Sequence, residues 1–284
     1  MTLPETDWAA LWRDLVQMRA RPSTGEPDAG EPDADRWAGK AEAFHDRVRR
    51  RWADPDSSRE RVLALVQPGS TVLDVGAGTG AWSVLLARTA ARVTAVDASL
   101  SMLAVLRESL TAQAVPNVDV VLGVWPQVVV GDHDYSLCAH AVYGVADLPG
   151  FVRRMVEVTR RTCFLVLRTP VPGGVLSDAA TQLWGHPWDG PNAVIARHVL
   201  AQLGITPEIV VEARPREPRT SATLDEALEQ LKRHFRLHDT TAHDDDLAGL
   251  LTRRLHARPG GGYAWPPDSR SVLLHWNVAP SLPA

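Results

Sequence analysis

This 284-residue chain has little of several features that would place it in a particular class. It has two cysteines, too few for the disulfide framework of a small secreted domain. With 30 basic and 34 acidic residues the net charge is −4, which gives no electrostatic case for nucleic acid or an anionic membrane as the main partner. No apolar run approaches membrane-spanning length, the N-terminus lacks the apolar stretch of a signal peptide, and no spacing of Cys and His indicates a metal site. These absences favour a cytoplasmic globular protein.

A glycine-rich turn between a strand-like run and a helical pattern is the most informative segment. The run of residues 70–73 leads into Asp74, glycines follow at positions 76, 78 and 80, and residues 81–88 have helical periodicity. Glycine tolerates positive φ and has no Cβ, so such a turn lets the backbone approach a ligand closely. The amide N–H groups at the start of the following helix would then face that ligand. By itself the turn is weak evidence, because glycine turns are common.

A carboxylate strengthens this interpretation. The apolar run of residues 92–97 ends in Asp97, which lies 17 residues after Gly80, a spacing that fits one helix, a short loop and one strand. An acid at the tip of the second strand can accept both hydroxyls of a ribose. One alternative is a nicotinamide or flavin protein, whose glycines follow the different spacing Gly-x-Gly-x-x-Gly. Another is a tight turn without a ligand, which the position of Asp97 disfavours.

Three segments together resemble the class I S-adenosylmethionine (SAM) dependent methyltransferases. They are residues 72–80, 93–99 and 134–140, and the resemblance covers roughly residues 37–168 well. It implies an α/β fold built on a doubly wound, seven-stranded sheet whose last two strands form an antiparallel edge. It also implies SAM as the cofactor and methyl transfer as the reaction.

The alternation of strand and helix patterns predicts a largely parallel sheet covered on both faces. Strands are expected at residues 70–75, 92–97, 118–123, 134–140, 162–168, 208–213 and 271–278. Residues 61–284 would form the methyltransferase domain, with a helical insertion at about 218–262. Residues 1–60 would form N-terminal lid helices and a flexible linker at 21–35. Cys138 and Cys163 lie in strand-like runs, which favours buried free thiols over a disulfide between neighbouring strands.

The resemblance implies a set of cofactor contacts. Asp74 would help hold the cofactor's ammonium group, and Asp97 would hold the ribose. Val124 stands where the family often has an acid that accepts from the adenine amine, so a backbone carbonyl or water would take that role here. For Met102 and Trp125, packing in the protein core is the alternative to contact with the cofactor. The full cofactor-binding set is Asp74, Gly76, Ala77, Gly78, Gly80, Asp97, Ala98, Met102, Val124, Trp125, His140 and Phe44, the last on a lid helix.

The acceptor side is expected at the ends of the fourth and fifth strands, since ligands bind beyond the carboxyl ends of parallel strands. His140 and Tyr143 follow the fourth strand, and a histidine there could accept a substrate proton. Both could instead merely line the pocket, because alignment alone can drive methyl transfer. The candidate catalytic residues are His140, Tyr143 and His186. The candidate substrate contacts are Trp184, His186, Trp188 and Asn192, with a helix-entry turn as the alternative for part of this loop.

We therefore expect methyl transfer from SAM to a small-molecule acceptor by direct displacement at the sulfonium methyl. One alternative is an RNA- or protein-modifying methyltransferase. The acidic charge and the absence of an Asn/Asp-Pro-Pro-aromatic tetrad after the fourth strand count against nucleic acid. Another alternative is a SAM-binding regulatory or partner protein without activity. A homodimer is left open, and the sequence names neither the acceptor nor the methylated atom.

Overall fold

The computed structural model of the protein describes residues 6–20, 35–171, 173–213, 219–237, 239–267 and 269–278. The linker predicted at 21–35 lies outside these residues except for its last position, Asp35. The central sheet, its helices and their cores are built from the described ranges.

A seven-stranded sheet forms the centre of the molecule. Its strands are β1 (Thr71–Val75), β2 (Arg92–Asp97), β3 (Val118–Leu122), β4 (His133–Ala139), β5 (Thr159–Pro170), β6 (Glu208–Val211) and β10 (Ser269–Asn277). Their order is β3-β2-β1-β4-β5-β10-β6, and β10 runs antiparallel to both of its neighbours. This confirms the predicted doubly wound sheet. The strand order reverses between β1 and β4, so their carboxyl ends border the crevice where such sheets bind ligands.

The described residues also form ten α-helices. They are α1 (Trp8–Ala20), α2 (Ala41–Trp52), α3 (Ser57–Leu65), α4 (Ala81–Leu86), α5 (Leu100–Ala112), α6 (Leu148–Glu157), α7 (Val175–Trp184), α8 (Ala193–Gln202), α9 (Leu224–Phe235) and α10 (Asp244–Arg254). Side chains cap the N-termini of several of these helices, because the first backbone N–H groups of a helix need hydrogen-bond acceptors. Ser99 accepts from the backbone N–H of Met102 at α5, and Asp147 accepts from Gly150 at α6.

Alternate residues of the central strands pack into different cores, as expected of a sheet covered on both faces. In β5, Leu165 and Leu167 belong to a core shared with α1, α6 and α8, whereas Phe164 and Val166 belong to a core shared with α3 and α4. Helix α1 contributes Trp12, which has no solvent exposure and donates its indole N–H to the Val145 carbonyl at 2.8 Å. The expectation that this first helix belongs to a lid is therefore corrected, because burial of Trp12 makes it a fixed layer of the main core.

A third core lies outside the two faces of the sheet. Apolar residues of α7, α9 and α10 pack around Trp265, which is 1 % exposed. Three two-residue strands, β7 (Thr220–Ser221), β8 (His256–Ala257) and β9 (Tyr263–Ala264), form a small sheet beside these helices. The predicted helical insertion thus contains two helices, α9 and α10, and α7 packs with them from the segment before it.

Both cysteines are free and buried in the described structure. Burial raises the pKa of the Cys163 thiol to about 11 and raises that of Cys138 further. Both thiols are therefore protonated near neutral pH, which suits packing and not nucleophilic chemistry.

Candidate functional site

The glycine turn after β1 has a backbone conformation that residues other than glycine rarely adopt. Gly76, Gly78 and Gly80 have φ values of 71°, 55° and 82°. A Cβ on Gly76 would stand 2.2 Å from the Cβ of Ala141, so the turn packs directly on the loop after β4. A Cβ on Gly78 would meet no atom within 4 Å. The turn is therefore closed on the protein side and open at Gly78, where a ligand can approach the backbone.

Asp97 joins the tips of β1 and β2. One of its carboxylate oxygens accepts from the backbone N–H of Gly78 at 2.8 Å, and the other accepts from Ser99 at 2.9 Å. Burial raises the pKa of Asp97, and these hydrogen bonds oppose that rise. Each oxygen retains acceptor capacity for a further donor, as two hydroxyls of a ribose would provide.

Asp74 lies beneath the same turn. It is 1 % exposed and accepts from the Ser83 hydroxyl at 2.6 Å, so the strand end is tied to the first turn of α4. Burial raises the pKa of Asp74 to about 7, although the Ser83 hydrogen bond acts in the opposite direction. A cation above the turn would favour the ionised carboxylate.

A short N-terminal segment bridges the two sides of the crevice. Asp35 accepts from the Ser99 hydroxyl and from the Ser101 backbone N–H, both at 2.7 Å, at the N-terminus of α5. Burial alone would raise the pKa of Asp35, but its hydrogen bonds outweigh burial and lower the pKa to about 2. On the other side, the Arg36 guanidinium lies 3.9 Å from where a Cβ of Gly144 would be. This segment therefore connects the loop after β2 with the loop after β4.

His140 and Tyr143 meet at the end of β4. Nδ1 of His140 lies 2.9 Å from the Tyr143 hydroxyl, which also accepts from the backbone N–H of Arg168 at 2.7 Å. His140 has a φ of 58°, a left-handed conformation that is uncommon outside glycine and often marks a functional site. Its Nε2 lies 3.4 Å from the hydroxyl of Ser271, which accepts from the Arg51 guanidinium at 3.1 Å. The imidazole is thus held in one orientation at the strand edge.

A buried charged cluster adjoins this edge. The Arg168 guanidinium, at the end of β5, donates through Nη1 to Asp189 at 2.8 Å. His234 of α9 lies 3.0 Å from the same carboxylate oxygen through its Nε2. Burial alone would raise the pKa of Asp189, but the His234 hydrogen bond and the Arg168 charge outweigh burial and hold the pKa well below its ordinary value. Asp189 is therefore ionised at any physiological pH.

Comparison with known proteins agrees with this geometry. The methyltransferase domain family matches residues 72–162. Malonyl-[acyl-carrier protein] O-methyltransferase from Serratia marcescens is 31 % identical over 153 residues, which cover 52 % of this chain and 54 % of that protein. Demethylmenaquinone methyltransferase from Listeria monocytogenes is 31 % identical over 118 residues, covering 40 % of this chain and 46 % of that protein.

The fold has a counterpart among solved structures. A candidate methyltransferase from Bacillus halodurans superposes with a TM-score of 0.54 at 16 % identity, covering 79 % of this chain and 99 % of that one. Residues 72–162 therefore match a methyltransferase domain, and the strand order is that of the class I methyltransferase fold. This match confirms the predicted methyltransferase domain, whose family uses SAM as its cofactor. The chain spans about half the length of the curated relatives it matches.

Two properties of the described residues bear on this site. None of the described helices is both long enough and apolar enough to cross a membrane. Within the same residues, no group of three or more His, Cys, Asp and Glu side chains is arranged to hold a metal ion.

The structure gathers most of the predicted cofactor residues around the crevice. Phe44, on α2, packs against Trp37 with ring centroids 4.9 Å apart. Met102 is buried in α5, Ala98 is exposed beside Asp97, and Val124 is 60 % exposed after β3. Trp125 lies in the main core, and its indole N–H donates to the Phe151 carbonyl at 3.2 Å. Core packing, the alternative for Trp125, is therefore what the structure shows. The cofactor contacts of the whole set stay predictions.

The tryptophan-containing loop after β5 is partly a helix. Trp184 ends α7 and packs edge-on against Phe235 of α9 at 5.0 Å, while Trp188 is half-buried against the main core. Nδ1 of His186 accepts from the Trp188 backbone N–H at 3.3 Å. These three side chains lie between the sheet and the insertion, and their contact with an acceptor stays a prediction.

Asn192 requires a correction. It is fully buried, and its side-chain oxygen accepts from the backbone N–H groups of Val194 and Ile195 at the start of α8. Its amide nitrogen donates to the Gly190 carbonyl at 3.0 Å. The residue is thus the helix cap, a position that asparagine favours strongly, and is not exposed to a substrate.

Sequence reasoning missed two structural features of the candidate site. Asp35 fell in a segment interpreted as a linker, although an acid near a helix N-terminus is a recognisable signal once the fold places them together. The cluster of Arg168, Asp189 and His234 joins positions far apart in sequence. Only the tertiary fold brings those three together, so no local pattern could have indicated them.

Proposed function

We propose that this protein transfers the methyl group of SAM to a small-molecule acceptor by direct displacement. The observation that carries the proposal is the pairing of Gly78 and Asp97 at one side of the crevice, with His140 and Tyr143 at the other side. SAM supplies an activated sulfonium methyl, which the acceptor's nucleophile attacks as the sulfur–methyl bond breaks. A cofactor held at Gly78 would direct that methyl toward the end of β4, where the acceptor would lie.

The residues of the site would then act by binding, orientation and exclusion of water. Asp97 would accept the ribose hydroxyls, and Asp74 would ionise beneath the cofactor's ammonium group. The segment of Asp35, Arg36 and Trp37 would cover the crevice. His140 would orient the acceptor and accept its proton if the acceptor is protonated at working pH. Fixed orientation alone can supply much of the rate enhancement in a displacement of this kind.

Two relatives support a small-molecule acceptor. By their names, one acts on a malonyl group attached to acyl-carrier protein and the other on demethylmenaquinone. The acidic net charge of −4 supports the same view over an RNA acceptor. A cytoplasmic location accords with the composition, and a homodimer stays an open prediction.

Calorimetry with SAM, S-adenosylhomocysteine and NAD tests the cofactor half of the proposal. We expect the first two to bind and NAD to give no signal. Asp97→Asn should weaken SAM binding by about 1.5–3 kcal/mol, since the ribose loses a charge-assisted acceptor. Asp119→Asn is the matched control, because Asp119 is an exposed carboxylate on β3 that pairs with Arg92.

Two results would contradict this half. Tight NAD binding without a SAM signal would remove the cofactor assignment, and a change below twofold in Asp97→Asn would place the ribose elsewhere. Methyl transfer is tested separately by incubating the protein and isotope-labelled SAM with a cell extract, followed by mass spectrometry of the small-molecule fraction. Label found only in RNA, or in protein other than an acyl group on a carrier protein, would overturn the acceptor class.

A further inference from the structure

We propose that Arg168 is a binding residue for an oxyanion, a carboxylate or phosphate, carried by the methyl acceptor. This inference deepens the proposed function and rests on it. It names a chemical feature of the acceptor that the sequence motifs do not indicate.

One edge of the Arg168 guanidinium is fixed, and the other is unused. Nη1 donates to Asp189, while Nε and Nη2 are closed to solvent and have no hydrogen-bond partner. The side chain as a whole is 11 % exposed. The N–H groups of Nε and Nη2 point the same way along one side of the planar guanidinium, which is the geometry that binds two oxygens of one carboxylate or phosphate.

The surroundings suit a prepared anion site better than a purely structural ion pair. Asp189 is 2 % exposed and is held by both Arg168 and His234, so this carboxylate is bound through Nη1 and leaves Nε and Nη2 without an acceptor. Buried N–H groups without an acceptor are costly, and the cost is greater on a charged group. An ordered water is the competing occupant. An incoming oxyanion would satisfy both N–H groups at once and add the attraction of opposite charge.

The position of Arg168 points to the acceptor and not to the carboxylate of SAM. The cofactor motifs lie at the ends of β1 and β2, whereas Arg168 lies near the end of β5, on the far side of β4. Its backbone N–H donates to the Tyr143 hydroxyl, so it belongs to the same edge as His140. His234 reaches the cluster from α9. Since the free edge is closed to solvent, the oxyanion would enter as the Asp189 loop and α9 move apart.

A titration of the S-adenosylhomocysteine complex tests the site. The probes are the anions benzoate and phenyl phosphate, and the control is benzamide, an uncharged analogue of benzoate. The readouts are the dissociation constant and the NMR resonance of the Arg168 Nε–H group. We expect both anions, or one of them, to bind and to shift that resonance, and benzamide to do neither.

Arg168→Lys is the informative variant, because lysine keeps a positive charge beside Asp189 but lacks the two parallel N–H groups of the guanidinium. We expect it to weaken the binding of the anionic probes on the order of 10- to 100-fold, as loss of a charge-assisted pair would. Arg168→Gln is the second variant. Arg160→Gln is the control, because Arg160 lies at the opposite end of β5 in an exposed pair with Asp132. The control should bind the probes as the wild type does.

The outcomes separate this inference from the proposed function. Failure of S-adenosylhomocysteine to bind the wild type would remove the proposed function. If it binds but the anionic probes do not shift the Arg168 resonance, or benzamide binds equally, the inference is overturned and water occupies the edge. A loss of affinity for S-adenosylhomocysteine in Arg168→Lys, with 5′-methylthioadenosine unaffected, would also overturn it. That result would assign Arg168 to the cofactor's carboxylate.

Discussion

Among single residues, Asp74 has the environment with the clearest consequence for pH. Burial raises its pKa to about 7 in the folded protein, whereas an unfolded aspartate titrates near 4. A raised pKa contributes stability below about pH 4, and this contribution is lost as the pH rises to about 7. The total loss is about 4 kcal/mol at most.

We therefore expect Asp74→Asn to flatten the pH dependence of the free energy of unfolding between pH 4 and 7 in the absence of SAM. Urea denaturation at several pH values measures the free energy of unfolding, and Asp119→Asn, a substitution of a surface carboxylate, is the control. Parallel curves for wild type and Asp74→Asn would show that Asp74 is ionised in the folded protein.

His140 is the residue on which the proposed acceptor chemistry would most depend. Asparagine is the best replacement, because it tolerates the positive φ of this position better than alanine does. We expect His140→Asn to lower kcat at least about 10-fold, and more if the ring accepts a proton in the transition state. SAM affinity should stay within a few-fold, since the imidazole is within hydrogen-bond distance of Tyr143 and Ser271, on the proposed acceptor side of the crevice.

The measurement is turnover on the acceptor found by labelling, together with calorimetry of SAM. Tyr143→Phe is the companion variant, because it removes the hydroxyl that holds Nδ1 and keeps the ring. Full activity in both variants would place the acceptor pocket away from the end of β4.

At the scale of elements, α1 and α2 have different roles although they are neighbours in sequence. Trp12 and Leu15 of α1 are fully buried in the main core, whereas α2 buries only Ala41 and is tied to the crevice through residues 35–37. Shallow burial of this kind is typical of segments that open locally.

We expect hydrogen exchange to slow over residues 35–50 when S-adenosylhomocysteine binds, and to stay unchanged over α1. Asp35→Asn should reduce this protection, because it weakens the acceptor that holds Ser99 and Ser101. Equal exchange over residues 35–50 with and without the ligand would make α2 a fixed layer as well.

The elements themselves were largely predictable because their signals are local. Apolar runs bounded by turns predicted every strand of the central sheet to within a few residues. Helix α7 was missed because its segment is rich in Pro and Gly, yet Gly174 and Gly185 are the residues that flank it. The burial of α1 and the meeting of Arg168 with His234 depend on tertiary packing, which a single sequence does not encode locally.

At the scale of the whole molecule, the protein has a sheet with two covered faces and a separate core in the insertion. The insertion core of α7, α9 and α10 surrounds Trp265 and contacts the site through two features. Phe235 packs on Trp184, and His234 bonds to Asp189. The insertion is thus placed to control the acceptor side while the cofactor side rests on the central sheet.

Two matched substitutions test this division of roles. Leu251 in the insertion core and Leu165 in the sheet core both have no solvent exposure, so truncation to alanine should cost about 2–5 kcal/mol at either position. Leu251→Ala should speed hydrogen exchange in α9 and α10, lower turnover and leave S-adenosylhomocysteine affinity within a few-fold, because local opening spares the sheet. Leu165→Ala should weaken protection across the sheet and reduce cofactor affinity as the unfolded fraction grows. If Leu251→Ala instead loosens both regions equally, the two cores unfold as one unit, and the insertion does not control the acceptor side independently of the sheet.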